Sequence, residues 1–297
     1  MTGNDWAVLA LLALIWGGSF LLIEIGLTGF PPVTLVALRM ALAVPLMLVF
    51  VRWGGHIIPR DRTSWLHLSV LGFLNVALPM ALFFWAQTRI ESGLASILNA
   101  TVPLWGVLVA HLATQDERAT LPRIFGVLLG FAGIVVMVGV SALGGLTDGL
   151  VAQLTCLFAT FCFALAPVYA RLRPFAHMPA ATIATGQTIT SAVMLLAASL
   201  AIDRPWTLPT PGMGAFAALL ALAFLSTSFA YILYFRLIAR AGASNAMLIA
   251  LVMPVVAIAL GVIFLGETLT ANQIAGALLI ALGLVAIDGR LFARAQQ

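Results

Sequence analysis

Charge is what this chain lacks most. Only 8% of its 297 residues are Asp, Glu, Lys or Arg, while hydrophobic residues reach 63%. An ordinary soluble domain carries roughly 25% charged residues. A chain this apolar cannot clothe itself in polar surface, so lipid must be its solvent over most of its area. Lysine is missing altogether, and all fourteen basic residues are Arg. They stand singly or in pairs between apolar runs and form no patch, so the net charge of +4 does not point to nucleic acid. Cysteine is reduced to Cys156 and Cys162, six residues apart in one apolar run. That spacing does not bring two thiols together on a helix, which argues against a disulfide framework or a metal site. The four histidines, His56, His67, His111 and His177, are dispersed near the ends of apolar runs. Neither HExxH nor GxSxG occurs, and no acid pair falls at mid-depth, so an intramembrane enzyme would have no reactive set. No signal peptide is expected either. The first apolar stretch has no basic flank, carries only Asp5 ahead of it, and runs past Ile25 without a small-x-small cleavage site, so it reads as a membrane helix.

What is there is a series of runs of about twenty apolar residues, the length that crosses a bilayer. They fall near 6–26, 32–52, 64–86, 93–113, 122–141, 149–170, 178–202, 211–236, 243–265 and 271–290. Turn and charge signals separate them: Pro31-Pro32, Gly54-Gly55, Glu91-Ser92-Gly93, Asp116-Glu117-Arg118, Gly144-Gly145, Arg173-Pro174, Asp203-Arg204-Pro205 and Gly266-Glu267. No loop is long enough for a soluble domain. The expected fold is an all-α polytopic membrane protein of ten transmembrane helices. With the N-terminus in the cytoplasm, the inside segments hold Arg52, Arg60, Arg62, Arg118, Arg123, Arg171, Arg173, Arg236, Arg240, Arg290 and Arg294, and the outside loops only Arg89 and Arg204. Eleven against two places both termini inside by the positive-inside rule. Trp6, Trp53, Trp65 and Trp206 near span ends read as interfacial anchors.

The chain also repeats itself. Pro103, Glu117, Gly126 and Gly133 are answered by Pro254, Glu267, Gly276 and Gly283; Arg89 and Arg240 each stand fourteen residues before their proline, and Ala95 and Ala246 precede it at matching distance. The repeat unit, 1–141 against 142–297, holds five helices. Five is odd, so the second copy enters the membrane from the opposite side, giving two inverted five-helix repeats of the kind common in secondary transporters. Gly126, Gly130 and Gly133, and likewise Gly276 and Gly283, read as helix-packing seams.

These motifs, with Trp16-Gly17-Gly18-Ser19 in the first helix and Arg39 after Pro31-Pro32 in the second, resemble the drug/metabolite transporter superfamily in its branch with two EamA domains. The resemblance covers nearly the whole chain, and its length and layout are similar to those of bacterial YddG-type amino-acid exporters. It implies the inverted-repeat fold and transport of small metabolites, and it favours export. Aligning Pro31 with Pro179 puts Gln187 where Arg39 stands, so that Arg belongs to one half only.

The candidate site is drawn from mid-depth residues. Arg39 lies about six residues, roughly 9 Å, into its helix. It can snorkel to the headgroups, pair with Glu24, or bind a substrate carboxylate. Asn75, Pro79 and Phe83 share one face of the third helix, matched by Ser226, Ala230 and Tyr234 of the eighth. Asn99 lies one turn before Pro103, Trp16 and Ser19 flank the glycine pair of the first helix, and Phe161 matches Trp16 in the sixth. Paired Gly and Pro let helices bend or unwind where they line a cavity, although packing explains any one of these residues equally well. The candidate substrate-binding set is therefore Trp16, Ser19, Arg39, Asn75, Pro79, Phe83, Asn99, Phe161, Ser226 and Tyr234, lining a cavity between helices one, three, four, six, eight and nine.

The expected function is a carrier that moves small metabolites, amino acids first, out of the cell by alternating access in a bacterial inner membrane. A channel or an intramembrane enzyme are the alternatives. The expected partners are a small-molecule substrate and the bilayer, with no cofactor, no nucleic acid and a monomer as the working unit. All ten acids map to helix ends. That predicts facilitated diffusion or exchange without a proton relay, with Glu267 and Glu117 capping the helices that follow them.

Overall fold

The structure is a computed structural model. It describes residues 2–113, 120–143, 147–172, 175, 178–246 and 248–288, the side chains of 139–143, 243, 244 and 288 excepted. Asp116, Glu117, Arg118, Gly144, Gly145, Arg173, Pro174, His177, Arg290 and Arg294 lie outside that set.

The described residues form helices and turns. We name the long helices α1 (Gly3–Leu27), α2 (Pro32–Trp53), α3 (Arg62–Ala86), α4 (Ser92–Ala113), α5 (Leu121–Leu143), α6 (Asp148–Arg171), α7 (Ala180–Ile202), α8 (Met213–Ala241), α9 (Ile249–Leu265) and α10 (Ala271–Asp288). Eight of them, α1 to α8, are long and apolar enough to cross a membrane. The last two are apolar but shorter, α9 spanning roughly 25 Å at 1.5 Å per residue.

Local sequence sets the boundaries. Thr2 and Asp5 form a reciprocal capping box at the start of α1, and Thr270 with Gln273 does the same for α10. Asp61 caps α3 and Thr147 caps α6. Pro32 opens α2 at the position where a missing N–H costs nothing. Gly242 and Gly266, at φ +84° and +69°, end the segments before them in a backbone region that side chains disfavour.

Three π-helical stretches and a break interrupt the helices. α3 widens into a π-helical stretch at Phe73–Ala77, α8 at Ala221–Phe229 and α9 at Gly261–Leu265. α4 breaks between Asn99 and Val102, just ahead of Pro103, which has no N–H for the carbonyl four residues back, that of Asn99, and whose ring crowds it. The segment Ala243–Ala246 is likewise separate from α9.

Tertiary contacts come in matched pairs. α1 packs on α9 as α6 packs on α4; α1 on α8 as α6 on α3; α2 on α8 as α7 on α3; α2 runs along α7, and α5 along α10. Apolar surface gains little from burial in lipid, so close packing of small residues must hold such helices together. A Cβ on Gly126 would lie 2.6 Å from the Gly283 carbonyl oxygen, and one on Gly283 2.5 Å from the Gly126 oxygen; Gly133 and Gly276 are related in the same way. The α5–α10 seam is thus backbone against backbone, as the glycine spacing predicts. Gly17 likewise meets the Met253 carbonyl and Val256 of α9. α1 runs unbroken through Gly17-Gly18, so this pair permits close approach and does not unwind the helix.

Candidate functional site

A group of mid-helix polar and aromatic side chains lies where α1, α2 and α8 meet. Trp16 donates its Nε1–H to the Ser226 carbonyl at 3.1 Å, and its ring sits 5.3 Å from Tyr234 and 6.5 Å from Tyr231, the latter edge-on. Ser19 is buried one turn on, its hydroxyl donating to the Trp16 carbonyl. Arg39 enters from α2. It is only 4% exposed, donates Nε–H to Thr227 Oγ1 at 2.9 Å, and holds its guanidinium 5.9 Å from the Phe84 ring centroid. Tyr231 lies within electrostatic reach of it. Of the three roles open to Arg39, snorkelling does not fit its burial, and no carboxylate pairs with it among the described residues. Its terminal nitrogens have no protein acceptor among those residues.

The π-helical turn of α8 makes this arrangement. Thr227 and Ser228 return their hydroxyls to carbonyls five residues back, Leu222 and Ala223, closing the wide turn. The backbone shift aims the Ser226 carbonyl at α1 and the Thr227 side chain at α2.

The remaining predicted residues lie elsewhere. Asn75, in the π-helical turn of α3, donates to Gln187 Oε1 of α7 at 3.1 Å. Phe83 packs between Phe20 of α1 and Phe163 of α6, with centroids at 6.5 and 6.2 Å, and Pro79 is buried one turn away. Phe161 does not join Phe83. It stacks edge-on against Trp105 of α4, which in turn packs on Phe131 of α5. Asn99 sits half-buried at the α4 break with no hydrogen-bond partner for its amide among the described residues. Trp16, Phe20, Phe83 and Phe163 belong to one apolar cluster that joins α1, α3, α4, α6 and α9. Tyr231 and Thr227 are the residues missed from sequence.

Two cross-helix caps flank this core. Glu267, in the turn between α9 and α10, accepts from the Ser92 and Gly93 amides at 2.7 and 2.9 Å. It therefore caps α4, not the α10 that follows it, and the small Gly93 and Gly261 give its carboxylate room. Burial and the Glu267 charge push the neighbouring Glu91 carboxyl up. Asp203, at the end of α7, accepts from the Thr34 amide and hydroxyl at 2.7 and 2.8 Å and so caps α2. At the opposite end Asp5 pairs with Arg240 at 3.3 Å.

Long apolar helices, interrupted by π turns and a broken α4 around a sparsely polar, aromatic-lined centre, define a membrane transport protein. Residues 5–139 and 150–287 each match the EamA-like transporter family, and the chain belongs to it. Relatives include the uncharacterized transporter YoaV of Bacillus subtilis, 28% identical over 91% of this chain and 92% of that one. The uncharacterized inner membrane transporter YedA of Escherichia coli is 28% identical over 95% and 90%. A probable amino-acid metabolite efflux pump of Salmonella typhimurium is 26% identical over 96% and 94%. A solved crystal structure superposes over the full length of both chains with a TM-score of 0.68 at 20% identity, a likeness of fold. The chain is a multi-pass protein of the bacterial inner membrane.

Proposed function

We propose that this protein is a carrier that exports small metabolites, amino acids above all, by alternating access between two inverted five-helix halves, 1–141 and 142–297. In this reading ten helices cross the bilayer and both termini face the cytoplasm. The observation that carries it is the matched packing. Reciprocal glycine contacts at Gly126–Gly283 and Gly133–Gly276, and the pairing of α1–α9 with α6–α4, are what a two-fold axis in the membrane plane requires. Two halves that can exchange roles about one centre are the minimum for opening a site to either side in turn.

The site is the set Trp16, Ser19, Arg39, Ser226 and Tyr234, extended by Tyr231 and Thr227. Asn75, Pro79 and Phe83 of α3, Asn99 of α4 and Phe161 of α6 contribute to it from the neighbouring helices. The free nitrogens of Arg39 suit a carboxylate, and the aromatic walls suit side chains of many shapes, since few directed hydrogen bonds discriminate little. The efflux pump of Salmonella typhimurium supports amino acids as the class. A channel or an enzyme has no comparable support in the site. The test is counterflow in proteoliposomes preloaded with unlabelled amino acids and offered radiolabelled ones. Saturable exchange is expected, and a flux that never saturates overturns the carrier.

A further inference from the structure

One cluster of oxygen-bearing side chains has hydrogen bonding that does not close. It lies where the C-terminal end of α1 meets the end of α3, the start of α4 and the α9–α10 turn. Gln87 is 2% exposed and donates Nε2–H to the Phe20 carbonyl at 3.0 Å, which fixes its amide and leaves Oε1 without a donor. Ser92 is fully enclosed, and its hydroxyl has no partner. Glu24 stands one helical turn beyond Phe20, interacts with the Gln87 side chain, and is near enough to Glu267 for their charges to repel. Its Oε2 is enclosed and has no partner. Glu267 cannot relieve this, because its carboxylate, held by the Ser92 and Gly93 amides, offers acceptors and no donor.

Among the described residues no positive charge compensates Glu24, and it forms no ion pair. Arg89 is turned onto the Trp85 ring at 4.0 Å and bonds Thr88. Arg39 is turned to Thr227, and α8 presents otherwise only Tyr231 and Tyr234, with Arg236 and Arg240 near the Asp5 end. The other carboxylates nearby, Glu91 and Glu267, add negative charge. A buried acceptor without a donor is costly, more so when charged, and two such oxygens, Gln87 Oε1 and Glu24 Oε2, lie in this cluster with the unpaired Ser92 hydroxyl.

We propose that Glu24 is a proton-binding site, and that the proton it takes up drives substrate export. One proton on this carboxylate removes a buried negative charge beside Glu267 and supplies an O–H donor in a cluster with an excess of acceptors. A hard metal cation would want roughly six oxygen ligands, and both Glu267 oxygens are already turned to the Ser92 and Gly93 amides. On the proposed topology this end of the bundle faces outside, where the gradient delivers protons. Coupling rests on the carrier reading, and proton binding does not. The sequence alone assigns Glu24 to a helix end and predicts transport without a proton; the proposal departs from that expectation because of the placement of Glu24 against Gln87.

Two measurements test it. Dicyclohexylcarbodiimide modifies protonated carboxyls in apolar surroundings, so the intact protein in liposomes is treated across a pH series and mapped by mass spectrometry. Modification of Glu24 is expected, rising as pH falls, while the partly exposed Glu91 stays low; Glu24 unmodified at every pH overturns proton binding. The same vesicles are then given a radiolabelled amino-acid mixture with and without an imposed pH gradient. Wild type and Glu91→Gln are expected to accumulate label under the gradient, and Glu24→Gln, checked for an unchanged size-exclusion profile, is expected not to. Counterflow without gradient-driven accumulation in wild type overturns coupling and leaves the carrier standing. Absence of counterflow overturns the carrier and coupling with it, while the modification series still decides whether Glu24 binds a proton.

Discussion

Arg39 and Gln187 stand at the same register on α2 and α7, eight residues beyond Pro31 and Pro179, and each is tied to a π-helical turn of the facing helix. Arg39 donates to Thr227 of α8 at 2.9 Å, and Gln187 accepts from Asn75 of α3 at 3.1 Å. One clamp is charged and the other neutral. Since Gln suffices in one half, the charge of Arg39 is not needed to hold the turn.

Arg39→Gln is therefore expected to keep the tie to Thr227 and to change stability in detergent by about 1 kcal/mol or less. Counterflow of carboxylated substrates should weaken about tenfold in apparent affinity, ~1.4 kcal/mol. Arg39→Leu should lose both stability and transport. Unfolding of Arg39→Gln as severe as that of Arg39→Leu would make Arg39 a structural clamp alone.

The α5–α10 seam gives a packing test. Gly126→Ala and Gly283→Ala each drive a Cβ into the partner backbone, so each should cost roughly 1–3 kcal/mol and lower the melting temperature of the detergent-solubilised protein. Gly106→Ala, where nothing lies within 4 Å, should be neutral or stabilising by up to ~1 kcal/mol through helix propensity. Equal melting temperatures for all three would mean that the seam is looser than its geometry.

The parts of the fold and site legible in the sequence are those with a periodic or compositional mark. Gly126, Gly133, Gly276 and Gly283 announce the seam because only glycine lets two backbones touch. Trp16, Ser226 and Tyr234 announce the centre because polar or aromatic groups at mid-helix need a reason. Thr227 and Tyr231 escaped because the π turn of α8 shifts the helical register, and a 3.6-residue wheel cannot anticipate that. Phe161 was matched to Trp16 by position, yet its ring turns to Trp105, and it is Phe163 that meets Phe83. Local sequence assigns Glu267 to the helix that follows it. A cap on α4 is a tertiary event with no local signature.

Topology is open to a direct measurement. A phosphatase reporter, active only outside the cytoplasm, is expected to be active when fused after Ile202 and silent after Gln297. Activity at the C-terminus would invert the proposed orientation and, with it, the side from which Glu24 is reached.

The cap between Glu267 and α4 leads to the last prediction. Its two bonds join the α9–α10 turn to the start of α4, so an opening that parts these elements must break them. Glu267→Ala leaves the Ser92 and Gly93 amides without acceptors and should cost about 0.5–2 kcal/mol, the range for loss of a helix cap. Glu267→Gln offers one acceptor in place of two and should fall between. Glu91 reports on the same carboxylate through its own titration. Its folded pKa is raised above the ordinary 4.5 by burial and by the Glu267 charge, so the fold holds that proton more tightly than the unfolded chain. Its contribution to stability is complete below the ordinary value and is lost as pH rises through the folded value. Removing the Glu267 charge should lessen that loss, and Glu91→Gln should abolish it. Melting temperatures from acid to neutral pH, on wild type, Glu267→Gln and Glu91→Gln, measure both effects. Identical slopes in all three would mean that Glu91 and Glu267 do not sense each other, and that the cap does not hold this end of the bundle as described.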